Sequence, residues 1–494
     1  MKKKLLIAVL SVAVLLAAAL GILYYNGYFD MDLYDYDESL YESEGDWVYS
    51  VYDGYAEINS CRRIAGSRLE IPDTLGGYPV KSLGWGFISD AQAKRIKEIT
   101  VPDSLTYFRK HNFITTAWYK NQPDGIVYLG NIAIDIKGEL ADGILLIKEG
   151  TRVIAGSAFS GEEAITEVVL PSTLEVICSD AFTDCDNLEK INIPDSVQEI
   201  GSCAFESCEK LKTIETNNTK AFIQGSSLYG TQWLADQKGD QISLCGNLLL
   251  YTKEDSAGED VFIEEGTGRI SSFAFELCEN MGVIHIPESC TDINEWAFQD
   301  SSFKGFRVDG NNKKYMSDDR GNLFSKDKTK LIRYAALDQS TEFIVPDSVV
   351  YIADEAFSNA EYLEKVCIHE RVEYIGEDVF FKASALENIE VSEDNSVYKS
   401  VDGVLFNKEG TLLISYVNGS GSKSYSIPDG VTKVNDWAFQ HCESIEEIVI
   451  PDSVERMGSI LSCKNLNTSG LVSDREEFIS DIYLQNCGFD YTEE

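Results

Sequence analysis

Residues 193–208 read IPDSVQEIGSCAFESC, and the phrase returns as IPDGVTKVNDWAFQHC at 427–442, IPESCTDINEWAF at 286–298 and VPDSVVYIADEAF at 345–357. Its Ala-Phe pair stands at 158–159, 181–182, 204–205, 274–275, 297–298, 356–357 and 438–439, with Val379-Phe380 in the same slot. Phe159 to Phe182, Phe182 to Phe205, Phe275 to Phe298 and Phe357 to Phe380 are each 23 residues apart. Proline keeps the same order: Pro72, Pro102, Pro171, Pro194, Pro287, Pro346, Pro428 and Pro451 each follow an aliphatic residue. A fixed period of this size marks a repeat architecture, so it is read before any search for sites.

The unit is clearest at 188–210, LEKINIPDSVQEIGSCAFESCEK. Leu188, Ile191 and Ile193 predict a short strand near 190–193 with side chains alternating inward and outward. Pro194 has no amide proton to donate and ends that strand, and Asp195-Ser196 turns the chain through side-chain bonds to the backbone. Val197 and Ile200 point inward from a second extended piece. Ala204, Phe205, Cys208 and Leu211 are expected along the inner side of a helical turn. One unit leaves its apolar edge uncovered, and stacked copies close a shared core. The expected fold is a β-rich α/β solenoid of leucine-rich repeats of about 23 residues.

Some intervals are longer. Phe298 to Phe357 and Phe380 to Phe439 are both 59 residues, and the extra sequence (308–334 and 391–416) predicts a hairpin each time. A second insert also occurs twice, TAWYKNQPDGIVYLGNIAI from Thr116 and TQWLADQKGDQISLCGNLLL from Thr231. Trp118 and Trp233, Gln122 and Gln237, Asn131 and Asn247 correspond within it. The division that follows is an N-terminal cap and first repeat at 47–75 and repeats at 76–466, with inserts at about 106–145, 216–255, 306–340 and 389–425. A C-terminal cap is expected at 467–494, where the phrase is lost.

Ahead of these, Lys2-Lys3-Lys4 precede an uncharged run at 5–25, which as a helix would cover about 31 Å, enough for a hydrocarbon core. The run continues past Ala17-Ala18-Ala19, where a peptidase would cut, so a transmembrane signal anchor is expected in preference to a removed signal peptide. Lysines before the span and Asp30, Asp32, Asp35, Asp37 and Glu38 after it orient the bulk of the chain outside the cytoplasm. Cleavage would make it a secreted protein. Residues 26–46, acidic and rich in tyrosine, read as a solvated spacer.

The chain holds 82 acidic against 42 basic residues, a formal charge of −40. That field repels phosphate backbones, so nucleic acid is not an expected partner. Cys185, Cys208, Cys278 and Cys442 each stand three residues after a repeat phenylalanine, where Ala360, Ala383 and Ser301 serve elsewhere. They read as free thiols of a small core column, with a Cys185–Cys208 pair as the alternative because their coils are adjacent. Zinc is not indicated, since there is no CxxC pair. The Asp-rich turn at 317–322 lacks the twelve-residue loop and terminal Glu of a calcium site and reads as turn chemistry. His111, His285, His369 and His441 form no catalytic pattern, and neither a phosphate-binding glycine loop nor HExxH occurs. No enzyme activity, catalytic residue, metal or cofactor is expected. The candidate contact residues are Trp296 and Trp437, in NEWAF and NDWAF. Both precede an Ala-Phe pair at a position facing away from the core, where an exposed ring anchors contacts; the same rings would also serve to cover a joint between coils.

The I-P-D-S-V-x-x-I-G-x-x-A-F-x-x-C phrase, its period and the Tyr-x-x-x-Asp-Gly-x-Leu-Phe insert at 398–406 resemble the BspA-type leucine-rich-repeat surface proteins of bacteria, over about residues 64–466. The resemblance implies an exported, extended solenoid that acts as an adhesin or a host- and matrix-binding protein. Its partner would be a protein or glycan outside the cell. The family has no catalytic motif, so no site residue carries over. His369, Glu264 and Lys148 depart from it by standing where proline is usual. The rival reading is a structural scaffold of the cell envelope that self-associates.

Overall fold

Strands of successive repeats pair in parallel, one period apart. In the computed structural model, Ile144–Leu146, Glu167–Val169, Lys190–Ile193 and Thr213–Thr216 form one ladder, with Ile144, Glu167, Lys190 and Thr213 in register. Val153–Ile154, Val176–Ile177, Glu199–Ile200 and Phe222–Ile223 form a second ladder in the same register. The 23-residue period of the sequence is thus a strand register. Ile191, Ile193, Val197 and Ile200 are buried, while Lys190 and Asn192 stay half-exposed on the other face of the pleat. Pro194 ends its strand, and its carbonyl accepts the Val197 N–H at 3.1 Å. The same turn is closed at Pro102, Pro171, Pro287, Pro346, Pro428 and Pro451.

The structure describes residues 42–473 apart from positions 53, 141, 253–256, 277, 437, 459 and 462, together with 484–485. The anchor at 5–25, most of the spacer, most of the C-terminal cap and Trp437 lie outside the described residues. Residues 42–46, read above as the end of the spacer, differ from that expectation. Glu42–Glu44 pairs antiparallel with Trp47–Tyr52, because the Tyr49 hydroxyl donates to Glu42 at 2.8 Å and the Gly76 N–H to Glu44 at 2.9 Å.

The Ala-Phe segment departs from expectation in most coils, where it is a chain of tight turns, while Glu295–Phe298 keeps a single 3-10 turn. The residue before Ala and the second residue after Phe are left-handed: Asp180 (φ 58°) and Asp184 (59°), Cys203 (56°) and Ser207 (58°), Glu355 (52°) and Asn359 (57°). Left-handed residues stop a right-handed helix from propagating. The freed N–H groups bond to the next coil instead, those of Phe159, Phe182 and Phe205 reaching the carbonyls of Ala181, Ala204 and Ser227 at 2.8 Å each. The helical share of the fold is accordingly small. The α-helices among the described residues are Asp90–Ala93, His111–Ile114, Ala117–Lys120 and Gln232–Asp236, and none is long and apolar enough to cross a membrane.

This third ladder stacks the rings. Phe182 lies 5.4 Å from both Phe159 and Phe205, fully buried, and each such pair contributes about 0.5–1.5 kcal/mol beyond the area it buries. The close spacing leaves no room at Gly201, where a Cβ would come within 2.4 Å of the Ser179 nitrogen on the preceding coil. The repeated helical insert is held the same way twice. The Thr116 and Thr231 hydroxyls cap it by accepting from the N–H groups of Tyr119 (3.1 Å) and Leu234 (3.2 Å). Gln122 and Gln237 donate back to the carbonyls of Trp118 and Trp233 at 3.1 and 2.9 Å.

The chain divides after Gly246 into two units, and the second obeys the same rules. Phe275–Phe298 and Phe357–Phe380 stack at 5.3 and 5.4 Å. Its inserts are hairpins that end as coil strands: Tyr315–Ser317, Leu323–Ser325 and Lys330–Arg333 pair antiparallel in turn, and Lys330–Arg333 then pairs in parallel with Tyr351–Ile352. Tyr398–Val401, Val404–Asn407, Leu412–Ser415 and Lys433–Val434 repeat that order. Tyr334 and Tyr416 therefore occupy the phenylalanine slot, 5.6 Å from Phe357 and 5.2 Å from Phe439. A buried asparagine anchors each hairpin. Asn312 donates to the carbonyls of Pro287 and Cys290 and accepts from the N–H groups of Lys314 and Tyr315, all within 2.7–2.9 Å. Asn395 repeats the four bonds, as does Asn218 in the first unit.

Candidate binding surface

The outward residues of a parallel ladder lie in columns, because register repeats with every coil. In the second unit one such column joins Lys330, Tyr351 and Tyr374. The two tyrosine rings stack at 4.3 Å and 21°, and the Lys330 ammonium sits 4.0 Å from the centre of Tyr351. Tyr374 is 41% exposed and Tyr351 half-buried. Carboxylates edge the ridge. Glu295 pairs with Lys330 at 2.5 Å and accepts the Asp354 N–H at 3.1 Å, while Asp354 accepts the Glu377 N–H at 2.9 Å. Burial, with Glu295 beside it, pushes the Tyr351 hydroxyl above its ordinary pKa, so it remains a donor.

Trp296 follows Glu295 in the short 3-10 turn Glu295–Phe298. Asn294 caps that turn by accepting the Trp296 N–H at 2.9 Å, and the Trp296 carbonyl accepts from Phe273 at 3.0 Å. Ala297 and Phe298 face the core, and Trp296 is half-buried. The tryptophan thus stands next in sequence to a residue of the ridge. Sequence reasoning missed Tyr351, Tyr374 and Lys330. The available signal was tyrosine at one phase of two adjacent repeats, 23 residues apart.

In each unit, another ladder carries charge on its outward side. Lys365 lies between Glu342 (3.2 Å) and Glu390 (2.9 Å), and Lys190 between Glu167 (3.4 Å) and Glu215 (3.2 Å). These solvent-facing pairs add little stability, but within each unit's own ladder they alternate in sign. On the separate ladder that pairs Val261–Phe262 with Met281–Ile286, Phe262, 64% exposed, stacks on His285 at 4.1 Å.

The residues considered for chemistry are otherwise engaged. His111 packs on Trp85 at 5.2 Å, and His441 meets Phe381 edge-on at 5.0 Å. His369, in a proline position, bonds the Pro346 carbonyl through Nε2 at 3.0 Å and accepts the Arg371 N–H on Nδ1 at 3.1 Å. Cys185, Cys208 and Cys278 are free thiols, and the Cys442 thiol donates to the Gln440 carbonyl at 3.7 Å. Those of Cys185 and Cys208 donate to the carbonyls of Phe159 and Phe182 at 3.0 Å, and the neighbouring Cys185 together with burial raises the pKa of Cys208. Both Asp318 oxygens accept bonds from its own turn, from Arg320, from the Asn322 N–H and from the Asn322 side chain at 2.8–3.0 Å.

The BspA type leucine rich repeat region matches in six copies, at residues 145–239, 253–319, 333–410 and 415–489. Among solved structures, the chain is similar to a leucine rich cell surface protein of Faecalibacterium prausnitzii, at 20% identity and a TM-score of 0.33, over 92% of this chain and 96% of that one. A leucine-rich repeat protein of Eubacterium ventriosum gives 16% and 0.32 over 92% and 96%. The pneumococcal vaccine antigen PcpA gives 16% and 0.31 over 92% and 99%. No curated protein matches the chain. With the family pattern spanning well over half its length, the chain belongs to the BspA-type leucine-rich-repeat family.

Proposed function

We propose that this protein is a non-enzymatic, outward-facing solenoid of the bacterial cell surface that binds a macromolecule outside the cell, either a host protein, a matrix component or a glycan. The observation that carries this reading is the Lys330–Tyr351–Tyr374 ridge, whose rings are held at fixed spacing by the ladder beneath them. A face built before the partner arrives keeps the ordering cost of binding low, and aromatic rings rimmed by charge supply contact energy at its centre. Trp296 adjoins the ridge, and Trp437 holds the corresponding place in its own phrase. Residues 5–25 serve as the membrane anchor, and mass spectrometry of the native N-terminus distinguishes the anchor from a cleaved leader.

The function is tested on cells displaying the full-length chain. Binding to immobilised matrix proteins and to a glycan array should fall with Tyr351→Ala/Tyr374→Ala and with Trp296→Ala at equal surface density. Undiminished capture by both variants would sink the reading. Concentration-dependent self-association of the purified chain, with no partner bound, would assign the envelope-scaffold role instead.

A further inference from the structure

The aromatic ridge of the second unit holds one cation of its own. The Lys330 ammonium lies 4.0 Å from the centre of the Tyr351 ring and pairs with Glu295 at 2.5 Å. The negative face of the ring attracts the ammonium, and the carboxylate beside it adds a charge-assisted hydrogen bond. Tyr374 repeats the phase of Tyr351 on the next coil, with its ring 41% exposed.

An acidic stripe accompanies the rings. Glu295, Asp354 and Glu377 each stand two residues before the Ala or Val of their repeat, where Ser179, Ser202 and Ser272 stand in other coils. Serine serves there equally well, so stacking of the coils does not require acid at that place. Each member is tied to the next: the Asp354 N–H donates to Glu295 Oε2 at 3.1 Å, and the Glu377 N–H to Asp354 Oδ1 at 2.9 Å. The stripe is thereby fixed in register with the rings. Burial, then Asp354, with Glu377 and Glu295 beyond it, pushes the Tyr374 hydroxyl above its ordinary pKa, so all three carboxylates act on this ring. Lys330 is one cation set against these three acids.

Charge complementarity selects among partners. Sulfated or sialylated glycans are anions and meet a repelling field, reinforced by the net charge of −40 on the chain. A neutral sugar would stack on the rings but draw nothing from the excess negative charge. A basic protein segment uses both features, its cations taking a ring face and a carboxylate together as Lys330 does within the chain. We propose that the Tyr351–Tyr374 ridge, with the stripe of Glu295, Asp354 and Glu377, docks a lysine-rich segment of a partner protein. The inference rests on the reading of this ridge as the binding face and narrows the partner to a basic protein.

The test titrates the full-length chain in neutral detergent against a fluorescent peptide of alternating lysine and serine, read by anisotropy. Saturable binding is expected, weakening as salt is added, and a glutamate–serine peptide should not bind. Tyr374→Leu should lower affinity about two- to fivefold, whereas Tyr374→Phe, which keeps the ring, should lower it less. Asp354→Asn/Glu377→Gln should lower it about fivefold with the melting temperature unchanged, because asparagine still accepts the residue 377 N–H. Asp195→Asn/Glu209→Gln removes the same charge from exposed sites of the first unit and should leave affinity unaltered, which separates a site from diffuse attraction. Equal losses in the two double variants, or an affinity indifferent to Tyr374→Leu, overturns the proposal. Ridge-dependent binding of cellohexaose in place of the lysine peptide overturns this inference and leaves the proposed function standing. Binding of neither probe, with cell capture undiminished in the ridge variants, overturns both.

Discussion

Replacing Asn395 by alanine removes the anchor of a hairpin insert without touching the hydrophobic core. The side chain is fully buried. Its amide donates to the carbonyls of His369 and Val372, both at 3.0 Å, and its oxygen accepts from the N–H groups of Val397 (2.9 Å) and Tyr398 (2.7 Å). At about 1 kcal/mol net per hydrogen bond, loss of the four costs about 4 kcal/mol, a large share of the stability of an ordinary domain. Aspartate probes the direction of the bonds. It keeps the two acceptor contacts but turns a second oxygen toward two carbonyls, so at neutral pH Asn395→Asp is expected to cost at least as much as Asn395→Ala. Urea titration of each variant should show a lowered midpoint with an unchanged slope. Amide exchange at Ile375 should also accelerate, because its N–H is bonded at 3.0 Å to the hydroxyl of Tyr398, which Asn395 positions. A loss below about 1 kcal/mol for Asn395→Ala, or an aspartate better tolerated than alanine at neutral pH, would refute the reasoning.

Phe182→Ala empties a buried ring column and should cost about 3–5 kcal/mol, whereas Phe262→Ala, at a site 64% exposed, should change stability by about 0.5 kcal/mol or less; calorimetric melting separates the two. Arg333 and Glu355 form an ion pair with both side chains 1% exposed and 3.2 Å apart. Glu355→Ala strands the guanidinium and should cost about 3–5 kcal/mol, while Arg333→Met/Glu355→Leu should recover most of that loss in a denaturant titration. Burial, reinforced by Glu355, Glu377, Asp354 and Asp436, pushes the Asp378 carboxyl up to about 8. Its folded pKa lies above the unfolded value, so its contribution is full below about pH 4 and lost as pH rises through about 8. Asp378→Asn should flatten that loss in melting temperature recorded against pH. His441 runs the other way: burial, with Lys382 beside it, lowers it from 6.5 to about 4, so its contribution is present above pH 6.5 and lost as pH falls through 4. His441→Gln should remove that acid limb from the same profile.

Recurrence in the sequence reports what every coil has to repeat. The 23-residue spacing of Phe159, Phe182 and Phe205 was legible as stacking because identical rings can share a column only if the coils are in register. Pro194 was legible as a strand end because no neighbour can supply its missing N–H. The Ala-Phe segments after Asp180 and Cys203 were misread as helical, though Glu295–Phe298 does form a 3-10 turn, because apolar spacing does not reveal the backbone sign of those two residues. That sign is decided by hydrogen bonds to the adjacent coil. Tyr334 and Tyr416 escaped notice for a related reason, since a hairpin of unlike sequence separates them from the phenylalanines whose place they take. Thus the one-dimensional pattern determined the repeat, its register and its apolar interior. The ridge of Glu295, Lys330, Tyr351 and Tyr374 and the four-bond asparagine anchors were decided by tertiary structure. Each depends on which residues, distant and unlike in sequence, the insert lengths bring to neighbouring coils.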